Sequence, residues 1–156
     1  MRTANALRSM GFTLVELVMV IVLIGVLSVL GIGLFANRSA FSPVLATQQL
    51  ASATLLAQQA ALAGNAASSV TLIQTADEFQ FTVGAGTANA RTFTLPRDGT
   101  SLTVDGTSLA VALTIAFDGL GAPLAGTNRE LVFAGDSTYR TCLSSLGAVY
   151  AGGCQP

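Results

Sequence analysis

From Phe12 to Phe35 the chain reads FTLVELVMVIVLIGVLSVLGIGLF, an apolar run with a single ionisable side chain, Glu16. As a helix, about 24 residues at roughly 1.5 Å each extend roughly 36 Å, enough to cross a hydrocarbon core of about 30 Å. Residues 1–11 are polar and carry Arg2 and Arg8, whereas Arg38 stands alone on the far side. That bias keeps the N-terminal end in the cytoplasm and sends the bulk of the chain outside it. A cleaved secretory signal has an apolar core of about 7–15 residues followed by a small-residue site. Here the core is longer, and no A-x-A pattern follows it. A plain signal anchor fits the hydropathy equally well, and Glu16 breaks the tie. A carboxylate inside an apolar helix costs about 2.5–3.5 kcal/mol to insert, and such residues generally mark a function.

Gly11-Phe12-Thr13-Leu14-Val15-Glu16 resembles the processing site of type IV pilins and related pseudopilins, G-F-T-L-[IV]-E ahead of an apolar helix. The resemblance implies that a prepilin peptidase cuts after Gly11 on the cytoplasmic side and methylates the new N-terminus at Phe12. Glu16 then becomes the fifth mature residue, one helical turn from the new amine. In a packed bundle of such helices its carboxylate would pair with the amine of a neighbour and set the axial register. The implied partners are other pilin or pseudopilin subunits, the prepilin peptidase, the inner membrane and its assembly platform. One departure stands out: many major pilins carry a proline where this chain has Gly31-Ile32-Gly33. The glycines loosen a helix by about 1 kcal/mol each, or permit close helix packing, and both readings stay open.

Beyond this segment, Ser42-Pro43 reads as an N-cap followed by a first-turn proline, with a break near residues 39–42. The run 43–63 is rich in helix formers and stops at Gly64-Asn65. Phe41, Leu45, Ser52, Leu56 and Ala63 share one face, with Leu55 and Leu62 beside it, and this face is expected to pack on the protein's own sheet. Contact with neighbouring subunits is the other use for it. After residue 68 the period becomes two. Val70 and Leu72 open the pattern, followed by Phe79, Phe81 and Val83, by Phe93 and Leu95, and by Leu102 and Val104. The clearest alternation is Val111, Leu113, Ile115 and Phe117, with Leu131-Val132-Phe133 after it. Residues 84–86, Asp98-Gly99, Asp105-Gly106 and Asp118-Gly119 punctuate these runs as turns. The expected fold is therefore α+β, and the resemblance implies a pilin-like form of it, a long N-terminal transmembrane helix packed on a small antiparallel β-rich head. Its expected parts are a leader (1–11), a membrane or filament-core helix (12–36), an amphipathic helix (37–64) and a periplasmic head (65–156).

A second resemblance lies in Ile115-Ala116-Phe117-Asp118-Gly119-Leu120-Gly121-Ala122-Pro123. It is similar to the F-[DN]-x-x-G-x-P turn of minor pilins and pseudopilins of the type II secretion H and FimT-like group. The stretch Gln58-Gln59-Ala60-Ala61-Leu62-Ala63-Gly64 leading to Val70-Thr71-Leu72 looks like the same group. Within it, subunits of mannose-sensitive haemagglutinin-type pili are closest in character. The resemblance implies a structural, minor subunit of a type IV pilus; a minor pseudopilin of a type II secretion system is the alternative, and a DNA-uptake minor pilin a weaker one.

Composition narrows the chemistry. The chain has seven Arg and eight acidic residues, with no Lys and no His. The commonest general bases and every Schiff-base mechanism are thus missing, so an enzyme is not expected, and neither is a cofactor. Two Cys without His leave too few soft ligands for a metal site. Cys142 and Cys154 are an isolated pair on the extracytoplasmic side, where a disulfide is the expected state. It would fasten the tail against the preceding strand, with residues 146–150 forming a last strand inside the loop. Asp77, Glu78, Asp118 and Asp136 are scattered near turns and form no dense oxygen-ligand loop for calcium. Arg91, Arg97, Arg129 and Arg140 are the candidates for a basic patch. Loss of residues 1–11 leaves five Arg against eight acids, and the tail 148–156 has no basic residue, which argues against a nucleic-acid partner.

Overall fold

The computed structural model describes residues 12–35 and 38–155, with 30, 32–35 and 38–40 described by backbone alone. The chain divides into two compact units, Met1–Asn37 and Arg38–Pro156. The first contains α1, Leu14–Phe35, 22 residues that run unbroken through Gly31-Ile32-Gly33. Every described side chain from Leu14 to Val29 is exposed, so this helix buries nothing within its own unit. A helix that is apolar all round takes its surroundings from elsewhere. Among the described residues no helix is long and apolar enough to cross a membrane. The span therefore rests on the full 12–35 run read as sequence.

The second unit begins with α2, Arg38–Leu62, 25 residues with Pro43 inside. This corrects the expected start at Ser42. Pro43 lacks the amide that would reach back one turn, a defect that costs about 3 kcal/mol in a helix interior. Tertiary contacts offset it: Pro43 is fully buried, and the Ser42 hydroxyl donates to the carbonyls of Arg97 at 3.0 Å and Pro96 at 3.3 Å. Ser42 is thus a strap to the sheet rather than a cap. The other end follows expectation. Gly64 takes φ +66°, its N–H donates to Ala61 O at 2.9 Å, and Asn65 N–H donates to Ala60 O at 2.8 Å. That pair of bonds is the Schellman stop, for which glycine's left-handed freedom is the requirement.

Two antiparallel sheets complete the unit. The first has the order β3-β2-β1-β6, from Arg91–Pro96, Glu78–Val83, Ser69–Gln74 and Leu113–Ala116. The second has the order β5-β4-β7-β8-β9, from Thr107–Ser108, Ser101–Val104, Arg129–Ala134, Thr138–Leu143 and Val149–Ala151. Both sheets pack on α2. Leu72 pairs with Phe81 and Leu102 with Phe133, so alternate apolar residues converge on one core. At its centre Phe79 meets Phe133 edge-on, ring centroids 5.5 Å apart. Two strand expectations change, and one strand was not expected. The 111–117 alternation yields strand only over β6, and Val111 is exposed. Residues 144–147 form a turn, moving the last strand to β9. Finally β8, with exposed Thr138, Tyr139 and Arg140, has too little alternation to be read in advance.

The largest correction concerns the face of α2. Ala46, Leu50, Ala53, Ala57 and Ala61 are buried against the sheets. Most of the face expected to pack turns outward, with Phe41 65 % exposed, Leu45 50 %, Leu55 55 % and Leu62 61 %, while Leu56 is half-buried against the core. Small alanines let the helix backbone approach closely, and the sheets' phenylalanines fill the space the leucines would have taken. Ala53→Leu should therefore destabilise the unit by about 1–3 kcal/mol through overpacking. Leu55→Ala should change it by less than about 0.5 kcal/mol. Denaturant melts of the two variants check this assignment, and the opposite ranking would reverse it.

Candidate functional site

The N-terminal motif is positioned by Thr13. Its Oγ1 accepts the N–H of Glu16 at 3.2 Å, and its carbonyl accepts the N–H of Leu17 at 3.1 Å. Thr13 is thus the N-cap of α1, with Glu16 at its third position. Glu16 stands in the first turn of α1, where the helix dipole favours a negative charge. Phe12 precedes the helix and is 83 % exposed. Gly11, the expected cleavage residue, lies outside the described residues, as does the rest of the 1–11 leader. The arrangement is a lone carboxylate at the head of a helix whose other described side chains are almost all apolar and unburied.

In the second unit, Cys142 and Cys154 are disulfide-bonded, as expected, with their Cα atoms 4.9 Å apart. Cys142 lies on β8 and is fully buried, so the bond ties the tail beyond β9 to the core. The resembling turn also forms. Phe117 is buried and bridges to Pro123, Gly121 takes φ +80°, and one Asp118 carboxylate oxygen accepts the N–H groups of Leu120 and Ala122, each at 2.9 Å. Asp118 is therefore a turn-maker.

A residue not singled out in the sequence holds this region together. The Gln58 side-chain amide donates to Gly121 O at 3.0 Å and to Gly147 O at 2.5 Å, clipping two turns to α2. Gly147 has φ +90°, and a Cβ there would lie 2.2 Å from Gly121 O, so only glycine fits. Nothing in the sequence marks Gln58 among its neighbours, because its role depends on loops 63 and 89 residues away. Gln58→Ala should cost about 2 kcal/mol by leaving both carbonyls without this donor. Its measure is the thermal midpoint of the head, and an unchanged midpoint would show that the clip contributes nothing.

The four candidate Arg residues do not gather. Arg97 is structural: its Nε donates to Thr100 O at 2.8 Å, Nη1 to Thr75 O at 2.6 Å, and the guanidinium lies 5.8 Å from the Phe79 ring centre. Arg129 pairs with Asp105 at 2.7 Å and Arg140 with Glu130 at 3.0 Å. Arg91 lines an open groove with Leu56, Gln59, Asn65 and Asn89. Among the described residues no three His, Cys, Asp or Glu side chains meet as a metal site would need.

No family model matches the chain, and no characterised relative is found by sequence. The structure is similar to the crystal structure of the type IV minor pilin FimU of Pseudomonas aeruginosa strain PAO1. The TM-score is 0.50 at 12 % identity, over 76 % of this chain and 92 % of FimU. FimU in a second crystal form gives 0.47 at 12 % identity, over 69 % of this chain and 90 % of that one. At such identity the likeness establishes fold. This chain has a pilin-like α+β fold.

Proposed function

We propose that this chain is a structural, minor-class subunit of a type IV pilus, cleaved by prepilin peptidase between Gly11 and Phe12 and methylated at Phe12. The observation that carries the reading is Glu16, capped into the first turn of an otherwise apolar, unburied helix, in a chain with a pilin-like fold. In this reading residues 1–11 are the leader and 12–36 the membrane anchor that becomes filament core. Residues 37–64 form the stem of a periplasmic head that ends at 156. Before assembly the chain sits once through the inner membrane; afterwards it lies in an extracytoplasmic filament beside other pilin subunits. The outward stripe of α2, Phe41, Leu45, Leu55 and Leu62, gives those neighbours further apolar surface. The minor class rests on the 115–123 turn and on the likeness to FimU, itself a type IV minor pilin.

The test is mass spectrometry of filaments sheared from the native host, searching for the peptide that starts at methylated Phe12. Trace amounts beside a dominant subunit support the minor pilin, and abundance makes this the major one. A methylated peptide confined to the membrane fraction favours a type II secretion pseudopilin. Residues 1–11 still attached in every fraction would overturn the prepilin reading.

A further inference from the structure

Three Asp-Gly pairs, at 98–99, 105–106 and 118–119, look alike in the sequence. The fold makes them unequal. The Asp105 carboxylate is held twice, by Arg129 at 2.7 Å and by the N–H of Glu130 at 2.9 Å. That of Asp118 accepts two backbone N–H groups. The Asp98 side chain is exposed and makes no hydrogen bond or ion pair with the described residues. Gly99, Gly106 and Gly119 are alike exposed, and a Cβ built on any of them would meet nothing within 4 Å, so room for the backbone does not separate the three. Asp98 sits at φ 44°, a left-handed conformation that non-glycine residues adopt uncommonly. Asp105 shares that conformation at φ 51°, so the anchoring of the carboxylate is what separates the two.

We propose that Asp98-Gly99 is the preferred site in this chain of spontaneous conversion of aspartate to isoaspartate. The Gly99 amide nitrogen attacks Cγ of Asp98. A C–N bond forms, the carboxyl C–OH bond breaks, and the hydroxyl leaves as water with the amide proton. The product is a five-membered succinimide. Water then adds to one of its carbonyls. Opening at the α-carbonyl leaves the main chain running through Cβ and Cγ and frees an α-carboxylate, with no net change in mass or oxidation state. Water is the only co-reactant. At Asp105 and Asp118 the carboxylate must first leave its donors, which raises the barrier. At Asp98 no described residue holds it. The conversion adds one carbon to the main chain where it passes from β3 of one sheet to β4 of the other.

The test ages the purified full-length chain in detergent at neutral pH, then digests it with a protease that cuts before aspartate but not before isoaspartate. Labelling by an isoaspartyl methyltransferase gives a second reading. Position 98 should carry about tenfold more isoaspartate than 105 or 118, the ratio given by about 1.4 kcal/mol in barrier. A parallel sample aged in guanidinium should show the three positions converging, because unfolding releases every carboxylate. Equal conversion at the three sites in the folded chain would overturn the proposal. So would an equal lead for position 98 in the unfolded chain, since the preference would then be local sequence and not structure.

Discussion

Glu16→Gln should enter the membrane at least as well as the wild-type chain and should drop out of filaments by a factor of about ten or more. The two halves of this result have opposite signs for one physical reason. In a bilayer the carboxylate is a cost of about 2.5–3.5 kcal/mol, and removing it eases insertion. In a filament, on the function proposed above, the carboxylate faces the amine that cleavage creates on Phe12 of a neighbour. Taking away one partner of a buried pair costs about 3–5 kcal/mol, because the other charge stays unpaired. Glutamine keeps the backbone N–H that Thr13 Oγ1 accepts, so the helix start survives and the loss is electrostatic. Immunoblots of sheared filaments and of membranes, run side by side, measure both halves. Wild-type incorporation of the variant would end the pairing model.

Breaking the Cys142–Cys154 bond has the second largest expected effect. The two residues are 12 apart, a short loop for which constraint of the unfolded chain is worth about 3 kcal/mol. For a head of this size that lowers the thermal midpoint by roughly 10 °C. Cys154→Ser is the cleaner variant, since Cys142 is fully buried and a hydroxyl there adds its own desolvation cost. Reduction of the wild-type chain should reproduce the shift. If the midpoint moves by less than a couple of degrees in both samples, the bond constrains little beyond what β8 and β9 already hold.

Legibility differed from element to element, and each difference has a cause. The N-terminal segment could be read because its information is local: an apolar run, a carboxylate and a capping threonine lie within one stretch of chain. The turns could be read because Asp-Gly and Gly64 meet backbone requirements that few residues satisfy. The face of α2 could not be read from its leucines. Periodicity picks out the stripe with the larger side chains, whereas the stripe that meets the sheets is mostly alanine with Leu50. The start of α2 was misread for a related reason. Ser42-Pro43 has the local chemistry of a cap, yet Ser42 finds better acceptors at Pro96 and Arg97, more than fifty residues away.

By itself the sequence determined the apolar helix with Glu16 in its first turn, the α+β class, the main turns and the cysteine pair. Each follows from neighbours along the chain or from a count of residue types. Tertiary structure decided which stripe of α2 is core, that Gln58 clips two distant turns, and how Arg97, Arg129 and Arg140 are engaged. It also left Asp98 as the Asp-Gly aspartate whose carboxylate has no partner among the described residues. Those outcomes depend on which remote backbone groups arrive within about 3 Å of a side chain, a competition among partners that no local pattern records.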